Sequence, residues 1–203
     1  MKSAVSELEE KGKAARAAAH RLAYLSTEVK NKALRNISND LLTKKNEILV
    51  DNQIDCKEGE ASGMNAAMLD RLMLNSSRLE AIAQDVLTVA ALPDPIGETF
   101  DMRTVPNGLQ IGKKRVPLGV IGAIYESRPN VTIDISVLCL KSGNSIILRG
   151  GKEAVNSNSA LAKLVQDASA SAGVPEGAVQ FIENTDRALV NHLLQMGNVI
   201  DMV

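Results

Sequence analysis

The chain has 203 residues, of which 45% are hydrophobic and 23% charged, and its formal net charge is −1. This length suits one domain, or one domain with a small extension, and the composition is too apolar for a disordered chain. Aromatic residues make up only 2% of the sequence, so it lacks the aromatic platform on which nucleic-acid bases stack. The near-neutral charge likewise argues against a broad nucleic-acid-binding surface.

The two cysteines, Cys56 and Cys139, cannot build a disulfide framework, and no CxxC pair is present for zinc. Scattered cysteines of this kind are typical of a reducing compartment. The N-terminal residues lack the apolar core of a secretory signal, and no apolar run approaches the roughly 18 residues of a membrane helix. We therefore expect a cytoplasmic protein with no membrane contact and no metal site.

Residues 1–97 are predicted to form a helical segment. Proline is absent before position 93, and apolar residues recur at steps of three and four, as on the buried stripe of a helix. A first helix is expected to end near Leu22, and a second to follow Ser26 or Thr27. The pattern thus indicates an aliphatic helical layer at the start of the fold.

The rest of this helical segment is more polar. Residues 51–63 are expected to form a short helix and a loop. Ser77 and Glu80 have the spacing of a capping box, which predicts the start of a further helix. Pro93 and the residues after it break that helix.

Residues 98–203 change period and are predicted to form an α/β segment. Two short strands flank Asn107-Gly108, a pair typical of a tight hairpin turn. Further strands then alternate with helices, which predicts a parallel sheet with right-handed crossovers. The strands are expected at residues 118–125, 145–148, 179–182 and 199–203, and the helices at residues 131–140, 158–172 and 185–196.

Polar residues follow the first strand of the predicted parallel sheet, at the edge where such sheets bind ligands. Arg128 could pair with an anionic substrate, and Asn130 could donate an amide N–H to a developing oxyanion. The alternative is structural, because Asn130 is also a good helix N-cap and Arg128 could be a solvated surface cation.

A second candidate site, Arg149-Gly150-Gly151-Lys152, follows the next strand. Adjacent glycines let a ligand approach the backbone, and the flanking cations suit a phosphate or a ribose. A tight turn with solvated charges remains the alternative. His20 and His192 have no partner at metal-ligand spacing, so we interpret them as structural or surface residues.

Longer blocks of sequence carry a resemblance to a known family. They are Leu92-Pro93-Asp94-Pro95-Ile96-Gly97, Arg115-Val116-Pro117-Leu118-Gly119-Val120-Ile121-Gly122, Tyr125-Glu126-Ser127-Arg128-Pro129-Asn130-Val131-Thr132 and Ile147-Leu148-Arg149-Gly150-Gly151-Lys152-Glu153-Ala154. Together they resemble the gamma-glutamyl phosphate reductases, or glutamate-5-semialdehyde dehydrogenases, of the aldehyde dehydrogenase superfamily. The resemblance implies N-terminal helices followed by an incomplete Rossmann-like parallel sheet, both parts of one cofactor domain.

The resemblance also implies a reaction, the NADPH-dependent reduction of gamma-glutamyl phosphate to glutamate-5-semialdehyde in proline biosynthesis. A cysteine thiolate attacks the acyl phosphate in this family, and hydride then reaches the resulting thioester. By resemblance, the oxyanion donor is Asn130, the substrate-binding residues are Ser127 and Arg128, and the cofactor-binding residues are Arg149, Gly150, Gly151 and Lys152.

The chain covers about the first half of the family's usual length. By resemblance, the nucleophilic cysteine lies beyond position 203, and neither Cys56 nor Cys139 has its context. We therefore expect an inactive fragment without the catalytic domain, prone to aggregate, from an enzyme that forms a homo-oligomer when complete. The alternatives are a non-catalytic nucleotide-binding or interaction remnant and a different acylating aldehyde dehydrogenase.

Overall fold

The computed structural model describes residues 4–203. Five helices come first: α1 (Ala4–Leu22), α2 (Thr27–Thr43), α3 (Lys45–Ala61), α4 (Ala66–Leu72) and α5 (Ser76–Ala91). An antiparallel hairpin, β1 (Thr99–Thr104) and β2 (Gln110–Lys114), follows them. The remaining elements are β3 (Val120–Ile124), α6 (Asn130–Lys141), β4 (Ser145–Arg149), a 3₁₀ turn (Lys152–Ala154), α7 (Val155–Ala172), β5 (Val179–Phe181) and α8 (Ala188–Gln195). The predicted α/β order of N-terminal helices and parallel strands is confirmed.

Two predictions for the helical segment were wrong. Residues 51–63 are not a short helix and a loop, because α3 runs without a break from Lys45 to Ala61. Polar residues of α3, among them Asn52 and Asp55, are buried, so the apolar periodicity fails although the helix packs against the rest of the fold. Polar contacts from another element, rather than apolar packing alone, therefore hold this helix in place.

The predicted capping box at Ser77 and Glu80 is also absent. The N-cap of α5 is Asn75, whose side-chain oxygen accepts a hydrogen bond from the Arg78 backbone N–H at 2.8 Å. By contrast, the predicted start of α2 is confirmed, because Ser26 Oγ accepts a hydrogen bond from the Val29 N–H at 3.3 Å. Helix α4, before α5, was not predicted.

The central sheet is parallel, with β4 between β3 and β5. On the open side of β3 lies the last segment of the chain, joined by one bridge between Ile121 and Met202. The predicted fourth strand over residues 199–203 is thus reduced to a single bridge. The physical reason is a turn, in which the N–H groups of Val199 and Ile200 both donate to the Met196 carbonyl at 2.8 Å.

Helices cover both faces of this sheet. A larger aliphatic core joins α2, α5, α6 and α7 to one face, and a smaller one joins α1 and α8 to the other. The chain passes from β5 at one edge back to the far side of β3, so the strand order reverses beside β3. In open parallel sheets, ligands bind at such a reversal, beyond the carboxyl ends of the strands. Within residues 4–203, no helix is both long enough and apolar enough to cross a membrane.

Candidate functional site

Two loops meet at the carboxyl edge of the parallel sheet. We call residues 125–130, after β3, the Ser127 loop, and residues 149–153, at the end of β4, the Gly150 loop. Ser127 joins them, because its backbone N–H and its hydroxyl both donate to Glu153 Oε1, at 2.7 and 2.8 Å. Ser127 is buried and has a φ of 34°, in the left-handed region that few non-glycine residues adopt. The Glu153 carboxylate therefore stabilises an unfavourable backbone conformation.

Glu153 is held in its ionised form. Partial burial by itself raises its pKa, but hydrogen bonds from its own backbone and from Ser127, together with the Arg149 charge, bring the pKa below its ordinary value. Its carboxylate lies where a Cβ on Gly151 would collide with it. The close approach of this side chain thus favours a glycine at the second position of the loop.

Arg149 ends β4 with most of its side chain buried. Its Nη2 donates to the Thr185 carbonyl at 2.8 Å, which ties the Gly150 loop to the segment after β5. Its buried Nε has no hydrogen-bond partner among the residues described. Lys152, at the other end of the loop, is exposed. The loop therefore offers one buried donor without a partner and one exposed cation.

A hydrogen-bonded chain lies beneath the two loops. The Thr132 hydroxyl donates to Asn158 Oδ1 at 2.9 Å, so the Tyr125 hydroxyl, 2.6 Å from Thr132 Oγ1, must be the donor in that contact. Burial raises the pKa of Tyr125 to about 12, despite its hydrogen bond to Thr132. Asn158 presses against Gly150, where any Cβ would collide with its amide nitrogen. This network packs the start of α6 against the Gly150 loop.

Helix α3 anchors the same region from the far side. The buried carboxylate of Asp55 accepts hydrogen bonds from the Ser157 N–H at 2.7 Å and from the Asn156 side chain at 2.8 Å. It also accepts from the Ser157 hydroxyl and the Asn156 N–H, so it caps the first turn of α7. Asn52 adds a bond to Ser157 Oγ at 3.0 Å. The start of α7, and with it the end of the Gly150 loop, is therefore fixed by α3.

Arg128 and Asn130 line a cavity of about 330 Å³ between the Ser127 loop and helices α4 and α5. Asn130 is the first residue of α6, and its amide nitrogen donates to Asp134 Oδ2 at 2.9 Å. Its side chain therefore does not act as the helix N-cap, which was the alternative to a role as oxyanion donor. The Arg128 side chain is exposed and makes no hydrogen bond or ion pair with the described residues.

The two cysteines are poorly suited to attack a substrate. Burial raises the pKa of Cys139 to about 12, and burial together with the Asp55 and Glu60 charges raises that of half-buried Cys56. Neither lines the cavity of Arg128 and Asn130. Within residues 4–203, no group of three or more histidine, cysteine or acidic side chains could hold a metal ion.

The structure thus brings Ser127, Gly151 and the end of β4 together and places Arg128 and Asn130 on a neighbouring cavity. Sequence reasoning assigned no role to Glu153, Asn158 or Thr185. Glu153 stands in one of the blocks that carry the family resemblance, but a single acidic residue after a glycine pair gives no signal of its partner. The positive φ of Ser127 has no signature in the sequence.

The sequence of this chain matches a known protein family. The aldehyde dehydrogenase family matches the chain over residues 2–203. The chain belongs to this family. It is 61% identical over its whole length to the gamma-glutamyl phosphate reductase of Dehalococcoides mccartyi strain CBDB1, and it covers 48% of that protein. This family member therefore spans about half the length of the curated relatives it matches.

Solved structures give the same result. The gamma-glutamyl phosphate reductase of Thermotoga maritima superimposes with a TM-score of 0.93 at 43% identity, over 96% of this chain and 47% of that one. The Saccharomyces cerevisiae protein of the same name superimposes with a TM-score of 0.87 at 34% identity, over 98% of this chain and 50% of that one. The fold of this family member and its likeness to gamma-glutamyl phosphate reductases are both confirmed.

Proposed function

We propose that this chain carries the cofactor-binding part of an oxidoreductase that reduces gamma-glutamyl phosphate to glutamate-5-semialdehyde with NADPH, in proline biosynthesis. The observation that carries the proposal is the contact of Ser127 with Glu153, which sets the candidate substrate loop against the candidate cofactor loop. The likeness to proteins named gamma-glutamyl phosphate reductase supports the substrate and the reaction class.

The Gly150 loop fits a phosphate-bearing nucleotide. Arg149 has a buried Nε without a partner among the described residues, Gly150 and Gly151 add no side chain to the loop, and Lys152 is an exposed cation. In the proposal, Arg149 and Lys152 bind the adenosine ribose and its 2′-phosphate. When bound, NADPH supplies the hydride. The residues of this chain orient the nucleotide at the edge of the sheet.

The cavity on the other side of Ser127 fits the acyl phosphate. One amide N–H of Asn130 is held by Asp134, which leaves its second N–H for an oxyanion. Negative charge builds on the substrate carbonyl oxygen when a nucleophile attacks it, so a pre-oriented amide donor lowers that barrier. In the proposal, Arg128 pairs with the substrate phosphate or carboxylate, and Ser127, which donates to Glu153, positions the loop that carries Arg128 and Asn130.

Titration calorimetry tests the cofactor assignment on the 203-residue chain. We expect Lys152→Gln to weaken NADPH binding severalfold and to leave NADH binding unchanged, since only NADPH carries the 2′-phosphate. The matched control is Lys163→Gln, which removes an exposed lysine of α7 that pairs with Asp167 at 3.2 Å. Equal losses for NADPH and NADH, or no binding of NADPH to the unmodified chain, would overturn the assignment.

A further inference from the structure

More charged side chains line the cavity beside Asn130 than are needed to bind an acyl phosphate alone. The polar residues on its wall are Asp70, Arg71, Arg78, Asp85, Arg128 and Asn130. We call it the α5 cavity. Its volume of about 330 Å³ lies within the usual range for small-molecule sites. Side chains of both signs of charge line the cavity, which suits a ligand that is itself a zwitterion.

Two of these charges are already paired with each other. Arg78 Nη2 lies 2.7 Å from Asp70 Oδ1, and Arg78 Nη1 donates to the Met73 carbonyl at 2.7 Å. These contacts fix the end of α4 against the start of α5. Arg78 and Asp70 therefore shape the cavity, and their charges are not free to receive a ligand.

Three charges remain available. The side chains of Arg71, Asp85 and Arg128 are exposed, and none of the three makes a hydrogen bond or an ion pair with the residues that the structure describes. Asp134, which holds Asn130, has a raised pKa because it is partly buried and because the Asp85 charge acts on it. Asp85 is thus electrostatically coupled to the α6 end of the cavity, where Asn130 lies.

We propose that the α5 cavity binds the α-amino acid head of the substrate, with Asp85 on the α-ammonium group and Arg71 on the α-carboxylate. This assignment rests on the proposed function, because it leaves Arg128 and Asn130, on the same cavity, for the acyl phosphate. The planar guanidinium group of arginine matches the geometry of a ligand carboxylate. A ligand without an ammonium group leaves the Asp85 carboxylate unpaired, and its affinity is lower for that reason. Asp85 would therefore discriminate against dicarboxylates that lack an amino group.

Three small ligands distinguish the contact of Asp85 with the ammonium group from the contact of Arg71 with the α-carboxylate. L-Glutamate carries both head groups, glutarate lacks the ammonium group, and 4-aminobutyrate lacks the α-carboxylate. We expect L-glutamate to shift the amide resonances of Arg71, Asp85 and Arg128 in NMR titrations of the ¹⁵N-labelled 203-residue chain. Each exposed ion pair changes affinity by a few-fold, so we expect glutarate and 4-aminobutyrate to bind about threefold more weakly, or worse.

Matched variants assign each contact. Asp85→Asn should abolish the preference for L-glutamate over glutarate, and Arg71→Gln should abolish the preference over 4-aminobutyrate. The controls are Glu80→Gln, which neutralises a carboxylate on α5 outside the cavity, and Arg103→Gln, which neutralises an exposed arginine on β1. Both controls should keep both preferences, and unchanged amide spectra elsewhere show that each variant is folded.

NADPH titrated into the same samples reports on the proposed function separately. Normal NADPH binding with no saturable shift by L-glutamate, or with glutarate bound as tightly as L-glutamate, overturns the α5 cavity assignment alone. Discrimination that survives Asp85→Asn and Arg71→Gln overturns it as well. If NADPH fails to bind while the ligand preferences follow the expected pattern, the cofactor assignment fails and the α5 cavity assignment stands.

Discussion

The buried carboxylate of Asp55 is the contact through which α3 holds the candidate site, and Asp55→Ala removes it. The change deletes hydrogen bonds to the backbone and the side chain of both Asn156 and Ser157. Ser157 is completely buried, so its N–H and hydroxyl cannot turn to water instead. Asn52 still contacts Ser157 Oγ, but as a donor, so the hydroxyl proton is left without an acceptor.

The expected cost follows from these stranded groups. Each buried donor left without a partner costs about 1–3 kcal/mol, and two such donors belong to Ser157. We therefore expect Asp55→Ala to lower the free energy of unfolding by about 4 kcal/mol. For a domain of this size, each kcal/mol lowers Tm by about 2–4 °C, which gives a fall of roughly 8–16 °C. Asp55→Asn keeps one acceptor oxygen and should lose about half as much.

Urea unfolding followed by circular dichroism measures these differences, with the slope m compared between variants to check that the unfolded states are alike. The control is Glu58→Ala, which truncates an exposed carboxylate one turn further along α3. It should change stability by at most about 0.5 kcal/mol. A loss below about 1 kcal/mol for Asp55→Ala, or one equal to that of the control, would refute the view that Asp55 fixes the start of α7.

Two further predictions concern titratable side chains. Burial alone raises the pKa of Glu153, but the Ser127 hydrogen bonds and the Arg149 charge bring this pKa below its ordinary value of 4.5. The ionised carboxylate therefore contributes to stability above about pH 4.5, and this contribution is lost as the pH falls through the native-state pKa. The stability gap between the unmodified chain and Glu153→Gln should therefore narrow as the pH falls in the acid range, and a gap in urea unfolding that does not change with pH there would contradict this. Because burial raises the pKa of Cys139 to about 12 and also raises that of Cys56, a thiol-reactive disulfide should label half-buried Cys56 slowly and Cys139 only after unfolding. Rapid labelling of Cys139 in the native protein would show that the core opens there.

The candidate site shows where sequence reasoning succeeds and where it fails. The Ser127 and Gly150 loops were both predicted, since each directly follows a run of apolar residues that forms a buried strand. Their partners were not predicted. Glu153 meets Ser127 across 26 positions, and Asp55 meets Ser157 across 102 positions, and no local pattern records either contact.

The sequence by itself determined the order of helices and parallel strands, because helical periodicity and continuous apolar runs are local properties of the chain. It also determined the family, through long blocks around Arg128 and Gly150. Only the tertiary structure decided that α3 is one helix, that the last segment reaches β3 by a single bridge, and that Glu153 holds Ser127 at a positive φ. The first and the last of these depend on buried polar groups that find partners far along the chain, and those partners exist only after the sheet and helices have packed.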